Sequence, residues 1–448
     1  RSHYWLADGR LVVAHAGLKE EMHGRGSGEV RSFAMFGETT GEVDEFGLPV
    51  RLNWAMGYRG AADVVYGHTP TPTAEWLNNT ICIDTGCVFG GRLTALCWPE
   101  RELVDVPAAR IYSEPVRPLA APQALSAQQE HDRLLHFDDF AAKLRITTRF
   151  GGTIIVPEEN ALAALEVASR FAVDPRWLIH LPPTMAACPT APEGPFLERP
   201  EQALDFYAER GAAALVAQEK HMGSRGLIVL CRDAAAAAKR FGTEDGKAGV
   251  VYTRTGRPFF NDEAQEAAVV DRLGEAAARA GLWEELATDW MLLDAEIMPW
   301  SAKAQELLRA QYRPTVAAAI ASADALTAAL QGMADPEAVA LREAAEQRGA
   351  NARAMAKAID GYCWPAQTVD DLRIAPFHLL AAEGAVFADR PHAWHMLTLA
   401  RICEHDPILL ATRWRALDAT LAGDRAALCD WWESHTAAGG EGMVLKPA

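Results

Sequence analysis

The chain is short of positive charge, of closely paired cysteines and of long apolar runs. It holds 43 lysines and arginines against 60 aspartates and glutamates in 448 residues, a formal net charge of -17. Proteins coated in nonspecific nucleic-acid contacts carry a basic surface, so this balance excludes such a coat. It leaves room for a local cationic groove, whose hold on RNA would fall with salt. No stretch approaches the roughly eighteen consecutive apolar residues of a membrane-spanning helix, and no secretory pattern opens the chain. A soluble cytoplasmic protein without membrane contact is the expectation. The 8 cysteines show no Cys-x-x-Cys spacing, which points to a reducing interior with buried thiols. Gly-x-x-x-x-Gly-Lys-Ser/Thr is absent, so no P-loop is encoded. A 50% hydrophobic composition excludes wholesale disorder, and the length calls for two folded pieces.

Chemistry enters at Lys220-His221-Met222-Gly223-Ser224-Arg225 and at Glu441-Gly442-Met443-Val444-Leu445-Lys446. A lysine in a glycine turn is by itself an ordinary solvated residue. Here the apolar run Ala212 to Ala217 leads into Lys220 and the run Leu227 to Cys231 follows it, which predicts two strands with the lysine at the mouth of a hairpin. An amine with a pKa near 10.4 needs cationic neighbours, desolvation or a metal to act as a nucleophile; Arg225 and Lys446 are candidates for that neighbourhood. Thr253-Arg254-Thr255-Gly256-Arg257 sets two guanidinium groups around a glycine, suited to bidentate phosphate contacts. In Met291 to Met298 an apolar strand carries Asp294 and Glu296 around a small residue, carboxylates able to hold a ribose hydroxyl or a divalent cation.

In this order the motifs resemble the covalent nucleotidyltransferases, the superfamily of ATP-dependent ligases and mRNA capping enzymes. Glu219 to Arg225, Thr253 to Arg257, Leu293 to Trp300 and Ala375 to Leu380 are similar to the ligase domain of bacterial polynucleotide kinase-phosphatase. That family joins a P-loop kinase, a central metallophosphoesterase and an ATP-dependent RNA ligase. The resemblance implies that Lys220 attacks the α-phosphate of ATP to form lysyl-AMP, with Mg²⁺ or Mn²⁺ neutralising charge. AMP then passes to a 5′-phosphate at an RNA break, and a 3′-hydroxyl seals it. It assigns Glu441 to metal, Glu296 to metal or ribose, and Arg225, Arg257 and Lys446 to phosphate. Phe377 is assigned to stacking on the base and Gln218 to its edge. Residues 377 and 378 alternate along a strand, so only one of Phe377 and His378 should face the nucleotide.

The same family places a metallophosphoesterase upstream. Leu11 to His15 and Val64 to His68 each run as a strand into a histidine, and Ile81 to Asp84 ends a third. Neutral imidazoles on adjacent strand ends suit Mn²⁺, Ni²⁺ or another divalent pair, so His15 and His68 are metal candidates and Asp84 a phosphatase-site residue. The upstream phosphatase motifs Asp-x-His, Gly-Asp-x-x-Asp-Arg-Gly and Gly-Asn-His-Glu are missing, as is a ligase Lys-x-Lys after Lys446. The expectation is therefore an internal fragment with both domains truncated, whose activity is that of the parent.

The expected fold is α+β: the C-terminal part of a calcineurin-like β-sandwich over 1–110, a linker over 111–143 marked by Pro107, Pro115, Pro118 and Pro122, and a ligase-type domain over 144–448. A polar helix over Ser126 to Lys143, a strand Arg145 to Phe150 turning at Gly151-Gly152, and a helix opened by Pro157 precede the lysine motif. Alanine-rich sequence over about 301–362 predicts an inserted pair or trio of helices starting at Pro314 and Pro336, with Gly349 a weak point. The implied partners are broken-ended RNA and an RNA 3′-end 2′-O-methyltransferase, with a homodimer left open. Three other readings stay open: a GTP-using capping enzyme, a metallophosphoesterase with a degenerate C-terminal scaffold, and a noncatalytic RNA-binding or assembly module.

Overall fold

The computed structural model describes residues 2–119, 125–140, 143–148, 152–179, 187–194, 196–300 and 305–448. Pro122, Arg149, Phe150, Gly151 and the first four residues of the expected helical insert lie outside them. Contacts divide the chain into two compact units, Arg1–Glu166 and Val167–Ala448. Among the described residues no helix is long and apolar enough to cross a membrane. Cys82, Cys231 and Cys363 are buried, but Cys97 is exposed on a two-stranded ribbon, so burial is not the general fate of the thiols.

The first unit is built on a five-stranded sheet in the order His3–Leu6, Leu11–Ala14, Asp63–Tyr66, Thr80–Cys82, Trp76–Leu77. Its three inner strands are parallel. Val12, Ala14 and Val64 point to one side, where they pack with Val30 and Ala34 of helix Gly28–Phe36 and with Leu18, Tyr58 and Ala62. Ser27 starts that helix by accepting a hydrogen bond from the Val30 amide at 3.1 Å, a cap that satisfies one orphan donor. Further along, Leu144–Thr148 pairs antiparallel with Gly152–Val156.

In the second unit an antiparallel sheet runs in the order Gly249–Thr253, Ser224–Cys231, Trp290–Met298, Arg373–Ala382, Ala385–Val386. Both faces are covered. Ile228 and Leu230 meet Val269, Val270 and Leu273 of helix Glu263–Arg279, while Leu227, Val229 and Cys231 meet Trp177, Phe241 and Tyr252. Burial on both faces is why these strands read as unbroken apolar runs, and each fully buried Leu, Ile or Phe contributes on the order of 1.5–3 kcal/mol.

A second sheet has three strands, with Ala214–Glu219 between Trp414–Asp418 and Met443–Pro447. Leu215, Ala217, Leu417 and Leu445 cluster with Leu204 and Leu428 of helices Pro200–Ala208 and Ala422–Ala437. Val216 and Gln218 therefore take the opposite face. This overturns the expected hairpin: Ala214–Glu219 and Ser224–Cys231 do not pair but enter different sheets. Each finds partners distant in sequence, and the segment between them crosses from one sheet to the other.

The alanine-rich region forms two packed helices, Arg313–Ala329 and Pro336–Tyr362. Asp335 caps the second by accepting from the Glu337 amide at 2.9 Å. The helix continues through Gly349 without a break. This glycine marks the close approach, because a Cβ there would stand 3.2 Å from the Ala323 Cβ.

Candidate nucleotide-transfer site

Lys220 follows directly on the central strand of the three-stranded sheet, and its amide donates to the Gly442 carbonyl at 3.0 Å. Antiparallel register then sets Gln218 opposite Val444 and Val216 opposite Lys446. Directly opposed residues share a face, so Gln218, Lys220 and Lys446 belong to one side of the sheet. The Lys220 Nζ and Glu441 Oε1 close an ion pair at 2.6 Å. Gly442 makes the bend between them at φ +137°, a conformation that L side chains rarely adopt. The Tyr362 hydroxyl, from the last turn of the helical pair, donates to the Gly439 carbonyl just ahead of Glu441.

The five-stranded sheet supplies the opposing groups. Asp294 and Glu296 alternate onto one face of Trp290–Met298. Arg225 forks onto Asp294, with Nε to Oδ1 at 2.8 Å and Nη2 to Oδ2 at 2.5 Å, and the carboxylate is 1% exposed. Glu296 Oε1 accepts from the Gly223 amide at 3.2 Å. A Cβ on Gly223 would meet the Ile297 carbonyl oxygen at 2.6 Å, so the lysine loop lies this close to the acidic strand only as glycine.

Strict alternation fails at Phe377 and His378. Pairing of Trp290–Met298 with Arg373–Ala382 shifts between Asp294 and Ala295, which face His378 and Pro376, leaving Phe377 as the extra residue of a bulge. A bulge re-aims side chains, and both rings reach Lys446: Nζ lies 5.1 Å from the Phe377 ring centre and 3.5 Å from His378 Nε2. The expectation that only one of the pair could face the site is corrected.

These contacts set the charge states. Burial pulls the Lys220 amine down, but its hydrogen bond and attraction to Glu441, with Glu198 and Glu296 adding, outweigh that and leave the pKa raised. Arg225 is engaged by Asp294, and the charges acting on the Lys220 amine are those of carboxylates. Burial, with Arg225 nearby, brings Lys446 down to about 8. Burial, reinforced by the charge of Glu441, pushes Glu296 up to about 7. His378 lies far below its ordinary range through burial and then Lys446, so it is a neutral ring beside that ammonium.

Two carboxylates brought together beside the lysine suit a hard divalent cation completed by phosphate oxygens; Glu296 and Glu441 would hold one. Gln218 is buried and its Oε1 is hydrogen-bonded to His392 Nε2. Arg257 is exposed, with its guanidinium over the Phe171 ring at 4.8 Å rather than in the lysine cluster. Sequence reasoning set His378 aside in favour of Phe377, and missed Asp294 as the counter-ion of Arg225 and the histidines 392 and 395. The His392-x-x-His395 spacing at a helix start was the available signal for that pair.

In the first unit, His15 and His68 follow adjacent parallel strands, and His15 Nε2 meets His68 Nδ1 at 2.9 Å. His68 Nε2 is buried without a protein partner, and burial, followed by Arg51 and His15, lowers the pKa of this ring. A neutral imidazole of this kind suits a transition metal. Asp84 follows the third parallel strand, where its carboxylate accepts from the Gly86 amide at 3.1 Å. Among the described residues no group of three or more His, Cys, Asp or Glu side chains is spaced to hold a metal ion.

A lysine facing two carboxylates, with a buried second lysine and an arginine fork on joined sheets, defines a ligase-type nucleotidyltransferase domain. Residues 163–448 match the model of the PNKP adenylyltransferase domain, ligase domain, and the chain belongs to that family. The N-terminal part is 53% identical over 114 residues to the bis(5′-nucleosyl)-tetraphosphatase PrpE (asymmetrical) of Anoxybacillus flavithermus, covering 25% of this chain and 46% of the relative. The counterpart from a Geobacillus strain is 50% identical over 107 residues, covering 24% and 44%. The chain thus spans less than half the length of these curated relatives. The solved structure of the Pnkp1/Rnl/Hen1 complex is 16% identical with a TM-score of 0.43, covering 59% of this chain and 70% of that one.

Proposed function

We propose that the second unit is the adenylyl-accepting part of an ATP-dependent RNA ligase, with Lys220 as nucleophile. The observation that carries this reading is the junction of two sequence-distant motifs: Lys220 bonded through its amide to Gly442 and through its amine to Glu441. The amine forms a bond to the α-phosphorus of ATP as the bond to the pyrophosphate oxygen breaks, giving a lysyl phosphoramidate and pyrophosphate. Lys220 must first lose a proton, and the Glu441 carboxylate at 2.6 Å is placed to accept it. Lys446 meets phosphate charge from a buried position, and Arg225, held rigid by Asp294, supports it, so the task is positioning and electrostatics. A divalent cation held by Glu296 and Glu441 would add neutralisation of the phosphates. Phe377 stacks on the base, a contact worth roughly 1–3 kcal/mol, and Arg257 belongs to later contacts with phosphate or RNA.

AMP then moves to the 5′-phosphate of a broken strand, where the 3′-hydroxyl displaces it. In the wider protein, a phosphatase using His15, His68 and Asp84 would clear 2′,3′-cyclic phosphate or 3′-phosphate ends, a 5′-kinase would supply the phosphate, and a 2′-O-methyltransferase would act as partner. Likeness of the first unit to the tetraphosphatases supports the phosphoesterase portion of this reading. The test is incubation of the full-length protein with α-labelled ATP and Mn²⁺, beside Lys220→Ala. A covalent label lost in the variant is expected; a folded, ATP-binding protein that takes no label overturns the reading.

A further inference from the structure

The buried face of helix His392–Cys403 carries His392 and His395 toward the bulged strand, where each ring meets His378 edge-on with centres 5.0 Å apart. His395 is accounted for locally, because its Nδ1 accepts from the Leu379 amide at 3.3 Å. His392 does something different. It is 5% exposed, and its Nε2 is hydrogen-bonded to the side-chain oxygen of Gln218, itself 5% exposed. Gln218 lies two positions before Lys220 in strand order and shares its face of the sheet.

The tautomer follows from the other ring nitrogen. His392 Nδ1 is buried and meets no protein donor or acceptor. Buried N–H groups without partners are rarer than under-satisfied acceptors, so the proton belongs on Nε2 and is donated to Gln218 Oε1. Burial and then Lys446 bring the pKa of His392 down to about 3, so the ring is neutral and has one proton to give. A glutamine amide turned by 180° exchanges an acceptor edge for a donor edge. Adenine and guanine differ in this respect: at the ring position beside the exocyclic group, adenine carries a bare nitrogen that accepts where guanine carries an N–H that donates. An amide free to turn serves both, whereas an amide held at its oxygen presents its N–H2 edge and serves the accepting nitrogen of adenine.

We propose that His392 is a positioning residue for nucleobase choice: by donating from Nε2 to the Gln218 oxygen it locks that amide in a single orientation toward the base of the nucleotide that loads Lys220. This rests on the reading of Lys220 as the nucleotide-accepting lysine and of Gln218, on the same face of the sheet, as the residue at the edge of the base. His392 itself touches no reacting atom. Its effect is on discrimination between purine nucleotides rather than on the rate with a saturating correct one.

The test follows covalent labelling of the full-length protein by ATP and by GTP over a range of concentrations. His392→Phe keeps a ring of similar size and removes the donor; the preference for ATP is expected to fall at least about tenfold, chiefly through KM, as when a buried hydrogen-bonding constraint is lost. His392→Gln restores an N–H near the Nε2 position and is expected to stay within about threefold of wild type. In a Gln218→Met background, replacing His392 should change the ratio no further. An unchanged preference in folded His392→Phe overturns the inference, as does an equal loss in His392→Gln. If His392→Phe fails to fold, His392→Leu and the Gln218→Met comparison decide by the same ratio. Labelling of wild type by neither nucleotide overturns the covalent reading, and with it this inference; labelling by ATP with intact discrimination in the variants overturns the inference alone.

Discussion

Arg225 grips Asp294 through two parallel hydrogen bonds of 2.8 and 2.5 Å across neighbouring strands, and the carboxylate is sealed from solvent. Geometry of this kind keeps both groups charged although burial pushes Asp294 toward its neutral form. The fork fixes the guanidinium on the strand beside Glu296, where its charge is felt by Lys446.

Breaking the fork from one side should be costly. Asp294→Ala leaves a half-buried guanidinium unpaired, and denaturant unfolding should show a loss of about 3–5 kcal/mol. Arg225→Met with Asp294→Leu should recover more than half of that stability without recovering adenylylation. Equal instability of the single and double variants would remove the uncompensated charge as the cause.

Stability should depend on pH through Glu296. Its folded pKa of about 7 lies above the ordinary 4.5, so the folded state binds a proton more tightly than the unfolded state. The stability this contributes is fully present below about pH 4.5 and is lost as pH rises through 7. Without nucleotide or metal, the melting temperature of wild type should fall between pH 5.5 and 8 relative to Glu296→Gln. Parallel melting curves across that window would show that Glu296 is not held protonated.

Lys446 should trade stability for activity. Its amine sits at about 8, below the ordinary lysine value, so the buried charge costs stability at neutral pH, and that cost is relieved as pH rises from 8 toward 10.5. Lys446→Met should be more stable at pH 7 by about 1–2 kcal/mol and slower in adenylylation by at least about a hundredfold. A destabilised variant would mean that contacts with Phe377 and His378 outweigh the buried charge.

Gly223 is a close-approach position, and even a methyl group there should be felt. Gly223→Ala drives a Cβ against the Ile297 carbonyl and the Glu296 side chain. The expected result is a loss of about 1–3 kcal/mol on thermal unfolding, with lysine labelling down by at least about a hundredfold because Lys220 shifts relative to its carboxylates. Wild-type labelling would mean the loop has slack.

The chemistry was more legible than the fold that assembles it. Lys220, Gly223 and Arg225 stand at short spacings that can be read directly, as do Glu441 and Lys446, and residues 163–448 match the family model. Strand pairing was hidden: Ala214 to Glu219 and Ser224 to Cys231 are both apolar runs, and nothing local says that the first pairs with residues 443–447 and the second with residues 290–297. The bulge at Phe377 has no signature in Ala375-Pro376-Phe377-His378, since it arises from the register with Asp294 and Ala295. Asp294 was visible as an acid, but its bond to Arg225, 69 residues away in sequence, depends on that same pairing. Gly349 looked like a helix weakness because a lone glycine lowers helix propensity; the neighbouring helix that needs the space cannot be read from the propensity.

The central claim is that Lys220 becomes covalently joined to AMP. Its most direct measurement is peptide mapping by mass spectrometry of the full-length protein after incubation with ATP and a divalent cation, quenched in alkali to preserve a phosphoramidate. An AMP adduct on the peptide holding Lys220, absent from Lys220→Ala, is the result expected. An adduct on another residue, or none in a folded protein that binds ATP, would contradict the account.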